Sequence, residues 1–407
     1  MTMGSSSTKR LRIAIMSDLH AFTADTSSNQ PSFYPVSRYP VDPLSHPISA
    51  LKKLIEEESI HADLLLCPGD MGDKCTPEAI TQAWSDLQDI GRRLGADLTL
   101  ATCGNHDIDS RYLHSDFDAR GLLMTLQPAF PISEEDLFLH YWARNYALIT
   151  RPDYRAVVLN SCAFHGAGKD SSKELDHGRI SANTLEWLRS SLKGSASRDV
   201  NILLCHHHPK LHPEIDYKDY EVMQGGAHLL QLLGTGEFGK WLVIHGHKHH
   251  PKIDYASGGG SDTIVFSAGS FSAHLYPELT GRQITNQFYI LEINTEQMST
   301  MGLVGETYAW DWNVGSGWRP ALGTNTGLGI PSRSGFGANP DVRLVANRIA
   351  TFSKTKFTEW KDVMQAIPEL PYMLPSVIVT LNKLLERDHK LHIVFENGVP
   401  IQLGTMQ

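Results

Sequence analysis

Eight apolar runs of strand length recur between residues 11 and 293, and most of them stop at a carboxylate, an imidazole or an amide. They are LRIAIMSD, ADLLLCPGD, LTLATCGNHD, YRAVVLNS, NILLCHHH, KWLVIHGH, TIVFSAGS and QFYILEI. Runs rich in Val, Ile and Leu without strict alternation are those of strands covered on both faces. Helical periodicity lies between them, most clearly in ISALKKLIEEES, PEAITQAWSDLQDIGRRL and SANTLEWLRSSL. Strand and helix in turn build a layered α/β domain. In such a domain the carboxyl ends of the strands line the ligand crevice. The groups that end these runs therefore converge in space: Asp18 and His20, Asp70, Asn105 with His106 and Asp107, His206, then His247 and His249. Carboxylate, imidazole and amide oxygen together suit divalent cations of hard to borderline character. GNHD is the most telling of these signals, because its glycine permits a sharp turn while three consecutive side chains supply a ligand, an acid and an orienting carboxylate.

A chain of 407 residues accommodates this domain and an appendage. We expect a polar, disordered tip over residues 1–10, the α/β domain over 11–295, a Gly- and Trp-rich cover or linker over 296–350, and a small α+β unit over 351–407. In the last of these, Asn397-Gly398 between alternating residues signals a hairpin. Two helices and a hairpin there fit a winged-helix-like module or an oligomerisation cap. The segment 22–47 is an insertion with five prolines and the aromatic residues Phe22, Phe33, Tyr34 and Tyr39. It starts beside His20, and we expect it to shape substrate choice as a lid or stacking surface. No apolar span is long enough for a membrane helix, and the first ten residues lack the apolar stretch of a signal peptide, so the expected location is cytoplasmic. Cys67, Cys75, Cys103, Cys162 and Cys205 are odd in number and widely spaced, which argues for reduced thiols. The net charge of −9 lies entirely before residue 296, which disfavours nucleic acid as a partner.

The order D-x-H, GD, GNHD, HHHP, GHxH resembles the calcineurin-like metallophosphoesterase family over about residues 11–293. The resemblance implies a four-layer α/β/β/α sandwich of two mixed sheets and a centre of two divalent metal ions, such as Mn, Fe or Zn. Carried over by motif, Asp18, His20, Asp70 and His249 would hold the first ion. Asp70, Asn105, His206 and His247 would hold the second, with Asp70 bridging. His106 resembles the family's outer-sphere histidine, which stabilises or protonates the leaving oxygen, and Asp107 would hold its ring. His206 is placed as the ligand of the HHHP run because family members with that run use its first histidine. His207 and His208 are then outer-shell, phosphate-facing or merely packed, with a polar outer-shell role favoured, His274 in SAGSFSAHL reaches toward the cleft, and His245 and His250 are packed or solvated.

HHHP, GHxH and HGRISANTLEWL (177–188) resemble the class III cyclic-nucleotide phosphodiesterase branch, which implies hydrolysis of a phosphodiester. Two alternatives stay open: a nuclease of the double-strand-break repair type, which shares the metal motifs, and a binding scaffold without catalysis.

Overall fold

The computed structural model describes residues 10–23, 30–36, 42–167, 171–213, 222–256, 263–275, 285–322, 329–352 and 356–406. Each apolar run becomes a strand or its immediate approach. In the first sheet β1 (Arg10–Ile15) lies parallel to β2 (Leu64–Cys67), and β2 is parallel to β3 (Leu98–Ala101). On the other side of β1 the chain pairs antiparallel with β10 (Gln287–Asn294). The second sheet runs β4-β5-β6-β7-β9-β8, formed by Tyr146–Thr150, Tyr154–Leu159, Val200–Leu204, Trp241–His245, Ile264–Ser267 and Lys252–Tyr255 in that order. Its four central strands are parallel and its two edges antiparallel.

The two-residue period of a strand decides how these sheets stack. Along the second sheet Val158, Ile202, Leu204, Ile244 and Phe266 join the large core that contains Ile13, Ile15 and Leu65 of the first sheet. Their neighbours Val157, Leu203, Val243 and Val265 pack instead with Leu188, Leu192, Leu229 and Leu233 from outer helices. Sheet therefore lies on sheet with helices outside, as the family resemblance implies. Among the outer helices are α1 (Pro47–Glu58) and α2 (Pro77–Leu94), each opened by a proline at the first turn where a missing N–H costs nothing. Among the described residues no helix is long and apolar enough to cross a membrane.

The expected cover or linker at 296–350 is corrected in its first half. Three strands here extend the first sheet: β11 (Gly305–Asn313) pairs with β10, and β12 (Gly317–Pro320) and β13 (Arg333–Phe336) pair with β11. The physical reason is that β10 would otherwise present an unpaired edge. Trp310, Trp312 and Trp318 are buried here, and the Trp318 indole N–H donates to the Pro47 carbonyl at the start of α1 at 2.9 Å.

The C-terminal unit begins earlier than residue 351. Helices Val342–Phe352, Trp360–Ala366 and Pro375–Leu384 pack around their own core of Val345, Ile349, Trp360, Val363, Leu381 and Leu403. They cover a sheet in which β16 (Val399–Thr405) lies between β14 (Phe357–Glu359) and β15 (Leu391–Glu396). The β15–β16 turn is at Asn397-Gly398, whose φ values of 50° and 79° are the left-handed pair that such hairpins require.

The described part of the 22–47 insertion packs against the core. Phe22 and Tyr34 are buried, and the Tyr34 hydroxyl donates to Asp86 on α2 at 2.6 Å. Ser32 bridges to Ala273, its hydroxyl donating to the His20 carbonyl at 2.7 Å. These aromatics anchor the insertion to the core because their large apolar areas are worth more buried than held over a cleft. Tyr39 and residues 1–9 of the expected tip lie outside the described residues. Since Lys52 and Gln82 also bond Asp86, at 3.0 and 2.9 Å, Tyr34→Phe leaves that carboxylate partnered. The substitution is expected to cost about 1–2 kcal/mol of unfolding free energy. A shift of the urea midpoint with unchanged slope is the measurement; an unchanged midpoint would show the insertion is not anchored there.

Candidate metal centre

The chain turns sharply as it leaves β1, β2 and β7. Asp18, His20, Asp70, His247 and His249 all have left-handed backbone, with φ of 51°, 47°, 52°, 78° and 50°. Each such residue costs on the order of 1–3 kcal/mol and persists only where its surroundings fix it. Here the fixing bonds continue the β1–β2 pairing beyond the sheet: Asp18 N–H donates to Gly69 O at 3.0 Å and His20 N–H to Asp70 O at 3.0 Å. Gly104 is needed for the same reason, because a Cβ there would lie 2.1 Å from Asp70 Oδ1.

These turns gather the strand-end side chains into two adjoining donor groups. Asp18, His20 and His249 form one, with one ligand atom of each within 4.8 Å of the others. His20 Nε2 lies 3.1 Å from His249 Nε2, and His249 Nε2 lies 3.5 Å from Asp18 Oδ1. In the other, Asn105 Oδ1 is 3.0 Å from both His206 Nε2 and His247 Nδ1, which are themselves 3.2 Å apart. Asp70 stands between the groups: its Oδ2 is 3.8 Å from His20 Nε2 and 3.4 Å from His206 Nε2.

The donor chemistry fits a cation on three counts. His206 Nδ1–H donates to Pro68 O at 2.9 Å and His247 Nε2–H to Asp176 O at 2.8 Å. In each ring this leaves the other nitrogen as a bare lone pair facing the centre. Burial pushes the pKa of His20 and His247 well down and that of His206 to about 4, so these imidazoles are neutral donors at neutral pH. Third, among the described residues no lysine or arginine pairs with the buried carboxylates of Asp18, Asp70 and Asp107. Burial works against the Asp18 anion, but His249, His206 and His20 outweigh it and hold its pKa below the usual range. Burial instead raises Asp70 well above that range, and Asp107 to about 6. Carboxylates packed this densely call for positive charge.

His106 lies beside these groups, its ring edge-on to His20 at 4.8 Å, and its N–H donates to Asp70 Oδ1 at 2.8 Å. The assignment of Asp107 is corrected. The partner of His106 Nδ1 is Asp73 Oδ1, at 2.9 Å. Asp107 turns inward and accepts from the amides of Gly72 and Gly104 at 3.1 and 2.9 Å, which fixes the two loops that carry Asp70 and Asn105. Consecutive residues at a tight turn point apart, so adjacency in sequence was a poor guide. Asp73 had only a weak signal, a second carboxylate in GDMGD.

His207 is buried against His206 and His247, with ring centroids 4.9 and 4.5 Å away, and Ser161 Oγ is 2.9 Å from its Nδ1. His208 is corrected as a phosphate-facing group. It is fully buried and stacked on His247 at 5.9 Å, and among the described residues neither of its ring nitrogens is hydrogen-bonded. His245, His250 and His212 are buried with it. His274 packs edge-on to Phe33 of the insertion, at 4.4 Å. All five cysteines are buried free thiols.

A family model for calcineurin-like phosphoesterases matches residues 11–251, more than half of the chain. The chain belongs to that family. A second model, wHTH-Calcineurin_assc, matches residues 334–387 of this phosphoesterase. Solved structures to which it is similar include purple acid phosphatase PPD1 from yellow lupin (Lupinus luteus) seeds, at 11% identity and TM-score 0.47 over 81% of this chain and 54% of that one. The 5'-nucleotidase precursor of Thermus thermophilus matches at 12% identity and TM-score 0.33, over 70% and 51%. The NAD nucleotidase NadN of Haemophilus influenzae matches at 12% and 0.36, over 70% and 47%. This chain thus spans about half the length of each of these three. No curated protein sequence matches it.

Proposed function

We propose that this phosphoesterase hydrolyses a phosphodiester at a centre of two divalent cations, one held by Asp18, His20, Asp70 and His249, the other by Asp70, Asn105, His206 and His247. The observation that carries the reading is the place of Asp70, whose one oxygen faces His20 at 3.8 Å and His206 at 3.4 Å. When bound, such a cation pair neutralises phosphoryl charge and lowers the pKa of water so that it attacks phosphorus near neutral pH. The chain's own part is to hold that charge in place. His206 and His247 are fixed in the required tautomers by Pro68 O and Asp176 O, and the amide of His247 donates to Asp18 Oδ1 at 3.0 Å. His106, positioned by Asp73, gives a proton to the leaving oxygen.

The diester part of this reading, like a cytoplasmic location and oligomerisation through the C-terminal unit, rests on the sequence. Its support is the HHHP run and the 177–188 stretch, which forms the turn against His207 and the helix Ala182–Gly194. A second reading, a nucleic-acid diester as substrate, draws on the helix–strand–helix–helix–hairpin order of the C-terminal unit. From residue 296 onward the chain carries ten basic and ten acidic residues, so this region has no net positive charge to draw a phosphate backbone. The test is a panel with the manganese-loaded protein: p-nitrophenyl mono- and diesters, cyclic nucleotides, and single- and double-stranded DNA. Preference for small diesters is the expected result. Cleavage of DNA alone favours the second reading, monoester preference overturns the diester assignment, and two bound metals without turnover of any ester would make the protein a scaffold.

A further inference from the structure

His207 belongs to a further set of donors that phosphoester hydrolysis does not use. One ligand atom each of Cys162, His165 and His207 lies within 4.8 Å of the other two, and the three residues are 1%, 5% and 0% exposed. Cys162 Sγ is 3.9 Å from His207 Nδ1. Zinc bonded to sulfur at about 2.3 Å and to nitrogen at about 2.0–2.1 Å in a tetrahedron places those two atoms about 3.5 Å apart. A shift of a few tenths of an ångström therefore closes the geometry.

Each donor is available. Ser161 Oγ accepts from the His207 amide at 3.2 Å and lies 2.9 Å from Nδ1. Nε2 faces Leu175 O at 3.4 Å, a carbonyl that can only accept, so the ring proton sits on Nε2 and Nδ1 is the bare nitrogen. Gly178 fixes the ring plane: a Cβ at that residue, whose φ is +56°, would fall 2.2 Å from Nδ1. His165 is three residues beyond Cys162 in a turn closed by its N–H to Cys162 O at 3.0 Å. Both of its ring nitrogens are buried, and the backbone of Glu174 approaches the ring without making a hydrogen bond of full geometry. A buried imidazole with so weak a partner has a ring nitrogen to offer a metal. Thiol and two imidazoles are a softer set than the mixed carboxylate, amide and imidazole donors around Asp70.

We propose that Cys162, His165 and His207 form a separate metal site of the zinc class, structural in role, which ties the 161–166 turn to the end of β6 beside the second donor group. On binding, the Cys162 thiol proton, now directed at Cys103 O at 3.2 Å, leaves to solvent as the sulfur–metal bond forms. Ser161 or water completes the tetrahedron. The thiol distinguishes this site from the phosphoesterase centre, although His207 also lies within ligand distance of His206 and His247.

The test uses the full chain, stripped with a chelator and titrated anaerobically with cobalt(II). A thiolate ligand gives a near-ultraviolet sulfur-to-cobalt charge-transfer band that nitrogen and oxygen donors cannot give. The wild-type protein is expected to develop that band, Cys162→Ser to lack it while binding one cobalt fewer, and His165→Gln to need a higher cobalt concentration to reach it. Saturation of the wild type without the band overturns the proposal even if Cys162→Ser does not fold, and so does a band that persists in Cys162→Ser. Loss of ester turnover has no bearing on either spectrum.

Discussion

Asp70→Ala is expected to abolish turnover and to leave the protein holding fewer than two metal equivalents. The carboxylate faces both donor groups, so its removal takes a ligand from each at once. The loss should exceed the roughly 10–100-fold that follows from removing an outer-shell partner. Asp70→Asn separates charge from shape. The amide oxygen still accepts from the His106 N–H, now bonded at 2.8 Å, and the fold around Gly104 is kept. A negative charge is lost, however, from a place where burial already drives the Asp70 pKa well up. Without cations, both variants are expected to be at least as resistant to urea as the wild type, because burying that unpaired charge opposes folding. With manganese added, the wild type should gain more stability than either variant by mass action. Metal content and turnover measured on the same samples decide the matter. Two tightly bound equivalents with substantial turnover in Asp70→Ala would remove the bridging assignment.

Why the donors could be read from sequence and their helpers could not has a physical basis. Asp18, Asp70, Asn105, His206 and His247 each follow an apolar run, and parallel strands must end on the same side of their sheet, so their convergence follows from topology alone. Asp73 and Asp107 obey no such rule. Which of them meets the His106 ring depends on the turn after Asp70, where Lys74 and Cys75 are left-handed with φ of 50° and 56°. Strand β11 was hidden by composition: Gly305, Trp310 and Trp312 read as cover, although the burial of GETYAWDWN partly alternates as a strand's does. Tyr34 lies on a proline-rich stretch, and only the nearness of Asp86, fifty-two residues away, shows it to be an anchor. The C-terminal hairpin was legible because Asn-Gly specifies its turn locally. Three-residue β14 carried no pattern long enough to see.

His106→Ala should separate the proton donor from the metal donors. It is expected to keep both metals while losing roughly 10²–10⁴ in rate on esters with poor leaving groups, and far less on p-nitrophenyl esters, whose phenolate departs without help. The geometry supports an acid poised beside the centre. The ring stands edge-on to His20 at 4.8 Å, and its Nδ1 is 2.9 Å from Asp73. Burial alone would pull the His106 pKa down, yet the carboxylates of Asp70 and Asp73 more than offset it and the net shift is upward. Cations held by Asp70 would cancel that residue's share, which leaves Asp73 as the partner able to keep the imidazole protonated. Asp73→Asn is therefore expected to show the same dependence on leaving group in weaker form, with metal content intact. The readout is the slope of log rate against leaving-group pKa across a series of aryl and alkyl esters: steeper than wild type in both variants if His106 delivers the proton. Parallel slopes with a uniform loss would make His106 a packing residue and return the proton to solvent.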